Sequence, residues 1–222
     1  MTDIWLSFKD DVTLTENGPD RLQLKTSISR TELTDLSAGA MAVLHALADG
    51  GLTDPGMRAL VAEHDGPSGM FKFFQIFPRL VSAGAVCYTL HHDDAPLLTL
   101  VPASPYFRRN KDEIPPDARF QLSRFAYVHL ENGQILLESA RGFARLVIHE
   151  TALMSLVGLL ATPQSWTSAA DTLGNIPPDV MHVVFQFLRS VQALTEPQDG
   201  TTAEDANTTL RQWDFHDLLF HA

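Results

Sequence analysis

Hydrophobic and polar positions alternate along the first 26 residues. Trp5, Phe8, Val12 and Leu14 sit among polar neighbours, and Val12-Thr-Leu-Thr has the period of two expected of a strand. Asn17-Gly18-Pro19 reads as a turn, since Asn and Gly accept positive φ. Leu22, Leu24 and Thr26 then alternate with Arg21, Gln23 and Lys25, which predicts a half-buried strand. The period changes after Ser37. Ala40, Val43, Leu44 and Leu47 recur at helical spacing behind Ser37 as N-cap, and Gly50-Gly51 stops that helix. Thr53 or Asp54 caps a second helix with Pro55 in its first turn and Met57, Leu60 and Val61 inside. A third runs from Met70 to Ala83 through Phe73, Phe74, Phe77, Leu80 and Val81, with Pro78 expected to kink it or delay its start. Val86-Cys-Tyr-Thr-Leu and Leu97-Leu-Thr-Leu-Val form a hairpin around His91-His-Asp-Asp-Ala-Pro.

The second half repeats this order. Asn132-Gly133 joins two alternating strands, Phe125–Glu131 and Gln134–Ser139. Leu153, Leu156, Val157 and Leu160 follow as one helix, and Ser165 or Thr167 opens a short second one. Asn175-Ile-Pro-Pro opens a third, with Val180, Val183, Val184, Phe187, Leu188 and Val191. Leu36–Gly51 overlays Ile148–Pro163 at an offset of 112, and Phe77–Ala83 overlays Phe187–Ala193 at 110. The expected fold is α+β: two tandem winged helix-turn-helix domains followed by a C-terminal linker helix. The boundaries are 1–103 for the first domain, 104–118 for a proline-rich linker, 119–197 for the second domain, and 198–222 for an acidic linker and helix.

Composition narrows the class. The chain of 222 residues is 45% hydrophobic and 19% charged, which is globular rather than disordered. The longest apolar stretch, near Leu153–Ala161, is interrupted by Ser155 and is about half the ~20 residues of a membrane span. No basic region followed by an apolar one opens the chain, so no secretory signal is expected. The single cysteine, Cys87, excludes an intrachain disulfide and suits a reducing cytoplasm.

Charge argues against nucleic acid. The net charge is -11, with 7 basic against 13 acidic residues in 1–100, 7 against 5 in 101–145, and 2 against 9 in 146–222. A winged helix that reads DNA needs cations on its third helix. Met70–Ala83 offers only Lys72 and Arg79, and Pro177–Gln192 only Arg189. A DNA-binding transcriptional regulator is therefore the alternative reading. The patch Arg108, Arg109, Lys111, Arg119, Arg124, Arg141 and Arg145 reads as a solvated connector face.

No catalytic motif stands out: there is no P-loop, G-x-G-x-x-G or G-x-S-x-G. Cys87 lies in an apolar strand, as a buried inert thiol does. His91-His92-Asp93-Asp94 contains metal-ligand residue types, but neighbours on a strand point to opposite faces. His149-Glu150 reads as a helix cap, and His216 and His221 are too far apart for one helical face. No catalytic or metal-ligating residue is therefore assigned. Phe71, Phe73, Phe74 and Phe77 suit a core or, in part, a peptide groove.

The tail Leu210–Ala222 carries a wide apolar helical face (Leu210, Trp213, Phe215, Leu218, Leu219, Phe220) that needs a surface to dock on. Its Trp213-Asp-Phe-His-Asp-Leu-Leu-Phe-His-Ala resembles the segment leading into the flavin domain of SagB-type dehydrogenases, the ThcOx-like thiazoline/oxazoline oxidases of ribosomal peptide biosynthesis. The resemblance implies winged-helix modules of the PqqD-like peptide-recognition type and an FMN-dependent oxidation of azolines to azoles. It places the FMN and the catalytic residues in a nitroreductase-like domain beyond Ala222, with none in this chain. The implied partners are a precursor leader peptide, the flavin domain in cis or in trans, a cyclodehydratase and a second copy of the full-length enzyme. Leader peptides add as a strand beside the third helix in such modules. By this analogy, the edge strand Leu22, Leu24 and Thr26 and the helix positions Phe73, Phe74, Phe77 and Val81 are the candidate peptide-binding residues.

Overall fold

The computed structural model describes residues 2–27, 30–67, 69–198 and 200–213. Its chain divides into two compact units. One holds residues 3–89 and 101–106; the other holds Leu90–Leu100 and the chain from Phe107 on, together with Thr2. Each is a mixed α and β structure in which the paired strands run antiparallel.

The first unit opens with β1 (Thr2–Phe8) and a three-stranded meander, β2 (Thr13–Gly18), β3 (Arg21–Lys25) and β4 (Arg30–Leu33). Leu22 and Leu24 of β3 are fully buried while Arg21 and Lys25 are exposed, the expected alternation. The turn falls one residue later than the sequence suggests. Gly18 pairs with Arg21, so Pro19 and Asp20 make the bend and Asn17 is drawn into an irregularity of β2. Proline's fixed φ suits the second position of a turn, and it outcompetes Asn17 here.

Helices α1 (Ala38–Ala48), α2 (Asp54–Asp65) and α3 (Gly69–Ser82) follow, capped by Ser37 and Thr53 as expected. Between the first two, β5 (Leu52–Thr53) pairs with β1. Pro78 sits inside α3, which runs on through it. Asp65 at the end of α2 ties that helix to the start of α1: its carboxylate accepts from Ser37 Oγ at 2.5 Å and from Gly39 N at 3.0 Å. A side chain at Gly39 or Gly69 would collide with Asp65, so both positions need glycine to let the helix ends meet there. Strand β6 (Val86–His92) then runs on the other side of β1 from β5.

The division between the units falls within β6 and its partner β7 (Ala95–Pro102), joined by Asp93 and Asp94, both with positive φ. In the second unit, β8 (Gln121–Leu122) pairs with the late strand β12 (Leu194–Thr195). A second meander, β9 (Ala126–Glu131), β10 (Gln134–Ser139) and β11 (Ala144–Ile148), turns between its first two strands on Asn132-Gly133, both at positive φ. Helices α4 (Leu153–Leu159), α5 (Trp166–Leu173) and α6 (Pro178–Ser190) complete the repeat. Helix α6 buries Val180, Met181, Val184, Phe185, Phe187 and Leu188, which leaves little of its surface in solvent. None of the helices described is long and apolar enough to cross a membrane.

Two stretches read as linkers carry structure. Residues 104–118 lack regular elements but bury Phe107 and Ile114. Trp166 Nε1 donates to the Ile114 carbonyl at 3.2 Å, and Thr167 Oγ1 to that of Pro116 at 2.8 Å. The acidic stretch after residue 197 forms the hairpin β13 (Pro197–Gln198) and β14 (Thr201–Thr202) and the short helix α7 (Ala203–Ala206), capped by Thr202. Its Glu204 is buried. It accepts from Ser123 Oγ at 2.6 Å, Arg141 Nη1 at 2.8 Å and Arg124 N at 3.2 Å. A carboxylate with three donors is drawn out of water despite its polar neighbours in sequence. Leu210–Gln212 is a single 3-10 turn, and the rest of the expected tail helix lies outside the described residues.

Two stability predictions follow from these packing constraints. Gly51→Ala places a Cβ 2.3 Å from the Leu6 carbonyl oxygen, whereas Gly50→Ala, at nearly the same φ, points into open space. Both should lose about 1–3 kcal/mol to backbone strain, and urea unfolding should show Gly51→Ala clearly the worse. Glu204→Ala strands three donors and should cost about 1.5–3 kcal/mol in the same assay.

Candidate functional site

Among the described residues, a strand edge in the first unit has no strand beside it. Strand β3 pairs with β2 on one side and β4 on the other, so it is central, which corrects the expectation that it forms the edge. The reason is β4, whose short and polar Arg30-Thr-Glu-Leu carries too little alternation to be read as a strand from sequence. Both outer strands of the meander, β2 and β4, have an edge without a strand partner among the described residues, and the one that α3 reaches is that of β4. Leu33 is buried and Thr31 half-buried, while Arg30 and Glu32 face solvent. In register, Leu22 lies opposite Leu33, Gln23 opposite Glu32, Leu24 opposite Thr31 and Lys25 opposite Arg30.

Helix α3 borders this edge. Arg79 Nη2 donates to the Glu32 carbonyl at 3.2 Å, which sets helix and strand side by side. The face of α3 is graded. Phe73 is buried, Phe77 and Val81 are half-buried, and Phe74 and Phe71 are 44% and 71% exposed. The Phe73 ring lies 5.6 Å from Phe77 and 6.3 Å from Phe74. Arg58 covers Phe74 at 4.9 Å and is held as a cation by its hydrogen bond to Asp54, which raises its pKa above the ordinary value. Of the residues singled out from sequence, Phe73, Phe74, Phe77 and Val81 thus share the helix bordering the edge. Leu22, Leu24 and Thr26 are buried in the sheet beneath it.

The second unit has the same layout with its edge filled. Its meander β9–β10–β11 corresponds to β2–β3–β4, and α6 to α3. Beside β11 lies β7. The Leu97 carbonyl accepts from His149 N at 2.9 Å and Glu150 N at 3.1 Å, and Thr99 Oγ1 meets His149 Nε2 at 2.8 Å. Leu98 packs with Leu146 and Ile148 of β11 and with Val184 and Leu188 of α6 around a residual cavity of only about 20 Å³. An extended segment with a leucine directed at the third helix therefore closes this edge. Burial, followed by the charge of His91, lowers the His149 pKa below its ordinary value.

The other candidate residues are engaged structurally. Cys87 is buried in β6. Glu150 Oε1 accepts from Ala152 N at 2.8 Å at the entrance to α4, the capping role expected of it. Among the described residues no three His, Cys, Asp or Glu side chains come together as a metal site. His216 and His221 lie outside the described residues. In the basic patch, Arg119 donates to the Pro163 carbonyl, Arg124 to those of Leu210 and Trp213, Arg141 pairs with Glu204 and Arg145 with Glu131. Arg189 of α6 lies over Phe120 at 5.6 Å.

Two cavities among the described residues of the second unit are poor matches to a flavin. A cavity of about 380 Å³ in the second unit sets Arg141 and Arg189 beside Glu196 and Glu204, whose carboxylates oppose a phosphate. The apolar cavity under α6 is far too small for a three-ring system.

Comparison with known families agrees with this architecture. Residues 1–109 match the family described as ThcOx helix turn helix domain, and residues 120–222 match cyanobactin oxidase ThcOx. The second match contains the tail from Trp213 that carries the resemblance noted above. No curated protein matches the chain. The two matches adjoin and between them leave out only residues 110–119, so the chain belongs to the ThcOx-like oxidases, of which it forms the N-terminal region.

Proposed function

We propose that this chain is the peptide-recognition and scaffolding region of a SagB-type azoline oxidase. Its two units are read as tandem winged helix-turn-helix modules of the PqqD-like type. The first takes a precursor leader peptide as an added strand along β4, with alternate side chains lying against Phe77 and Val81 of α3. FMN and the oxidation of azoline to azole belong to a flavin domain outside these residues. In this reading the substrate comes from a cyclodehydratase, which makes azolines, and the full-length enzyme works as a homodimer in the cytoplasm.

One observation carries the reading: the edge of β4 beside α3 has no strand partner among the described residues, while the matching edge of β11 beside α6 holds β7. The filled groove is an internal template for the open one. Main-chain hydrogen bonds would supply affinity and the alternating pockets specificity. In this reading one peptide binds per chain, because among the described residues the groove beside α6 already holds β7 and the one beside α3 holds no strand.

The DNA-binding alternative finds less support. Arg79 is turned back onto Glu32, Arg189 lies on Phe120, and α6 is largely buried, so few phosphates could be neutralised.

Calorimetric titration with a leader peptide encoded next to this gene should give one peptide per chain with Kd below about 100 μM. Phe77→Ser should weaken binding about tenfold or more, a loss of ~1.4 kcal/mol, with circular dichroism confirming the fold. Absence of heat, or salt-sensitive shifting of DNA fragments instead, would overturn the proposal.

A further inference from the structure

The open edge carries a charge pattern of its own. Lys25 and Arg30 are directly opposite one another in the β3–β4 register, and both are exposed. Like charges in that position repel. Neither forms an ion pair with an acidic group among the described residues, although the chain carries 27 acidic residues against 16 basic ones. Across the solvent face of the meander the rows are Thr13–Lys25–Arg30 and Thr15–Gln23–Glu32. Arg21 stands further along β3, 3.9 Å from Asp20. A strand added beside β4 extends both rows. Its residue beside Arg30 enters a row ending in two cations, and its residue two positions away enters one ending in a carboxylate.

We propose that the segment received on β4 is recognised by an acidic side chain placed opposite Arg30, with the residue two positions away basic or neutral. The inference rests on the peptide reading above and adds its charge signature. The inward side chains supply contact with α3, as Leu98 does in the filled groove. The outward carboxylate meets both Lys25 and Arg30, relieves their repulsion and selects the register, because a slip of two residues would put it against Glu32.

Three fluorescein-labelled peptides, alternating leucine inward with serine outward and carrying one central outward Glu, Ser or Lys, provide the test by fluorescence anisotropy on the full chain. The Glu peptide should bind about tenfold more tightly than the Lys peptide, and the gap should shrink between about 50 and 500 mM salt. Arg30→Glu, a change at an exposed position, should reverse the order. Equal binding of all three, unaffected by Arg30→Glu, would overturn the charge signature while leaving the peptide groove intact. A preference for Lys would do the same. Failure of all three to bind would remove both the signature and the groove.

Discussion

A β-strand edge presents unsatisfied N–H and C=O groups, and everything proposed for this chain depends on how its edges meet that demand. In the second unit, β11 is served by β7, and the leucines of the added strand complete the packing beneath α6. In the first unit, β4 ends the meander, and the Arg79 side chain reaches one of its carbonyls. The two units share the order of a meander followed by three helices yet differ at this edge. A filled edge is structural; in the proposed reading, an open one beside a half-exposed aromatic helix receives extended chain.

The surroundings of the open edge are rigid where rigidity helps. Asp65 holds the start of α1 to the end of α2 through Ser37 and Gly39, and the absence of a side chain at Gly39 and Gly69 leaves the room it needs. The second unit uses a different tie, the buried Glu204, which draws Ser123, Arg124 and Arg141 toward the chain's late acidic segment. The arginines that made residues 101–145 appear basic are mostly engaged by such internal acceptors.

Much of this architecture was legible because it is written in local chemistry. Ser37, Thr53 and Ser165 cap the helices they were expected to cap, and Asn132-Gly133 makes its hairpin turn. Misreadings arose where two local signals competed or none was strong. Pro19 displaced Asn17-Gly18 as the turn, and β4 was too short and polar to register. The buried Glu204 gave no local sign, since its partners lie some eighty and sixty residues earlier in the chain.

The sequence by itself determined the periodicities, the caps, the duplicated order of elements and the shortage of cations on both third helices. These depend on neighbours within a few positions, which the linear chain displays. Only the tertiary structure decided that β3 is central, that β4 bears the open edge, and that β7 closes the matching edge of β11. Pairing between strands is a contest among distant segments for the same backbone groups, and its winner is set by three-dimensional packing rather than by residues adjacent in the chain.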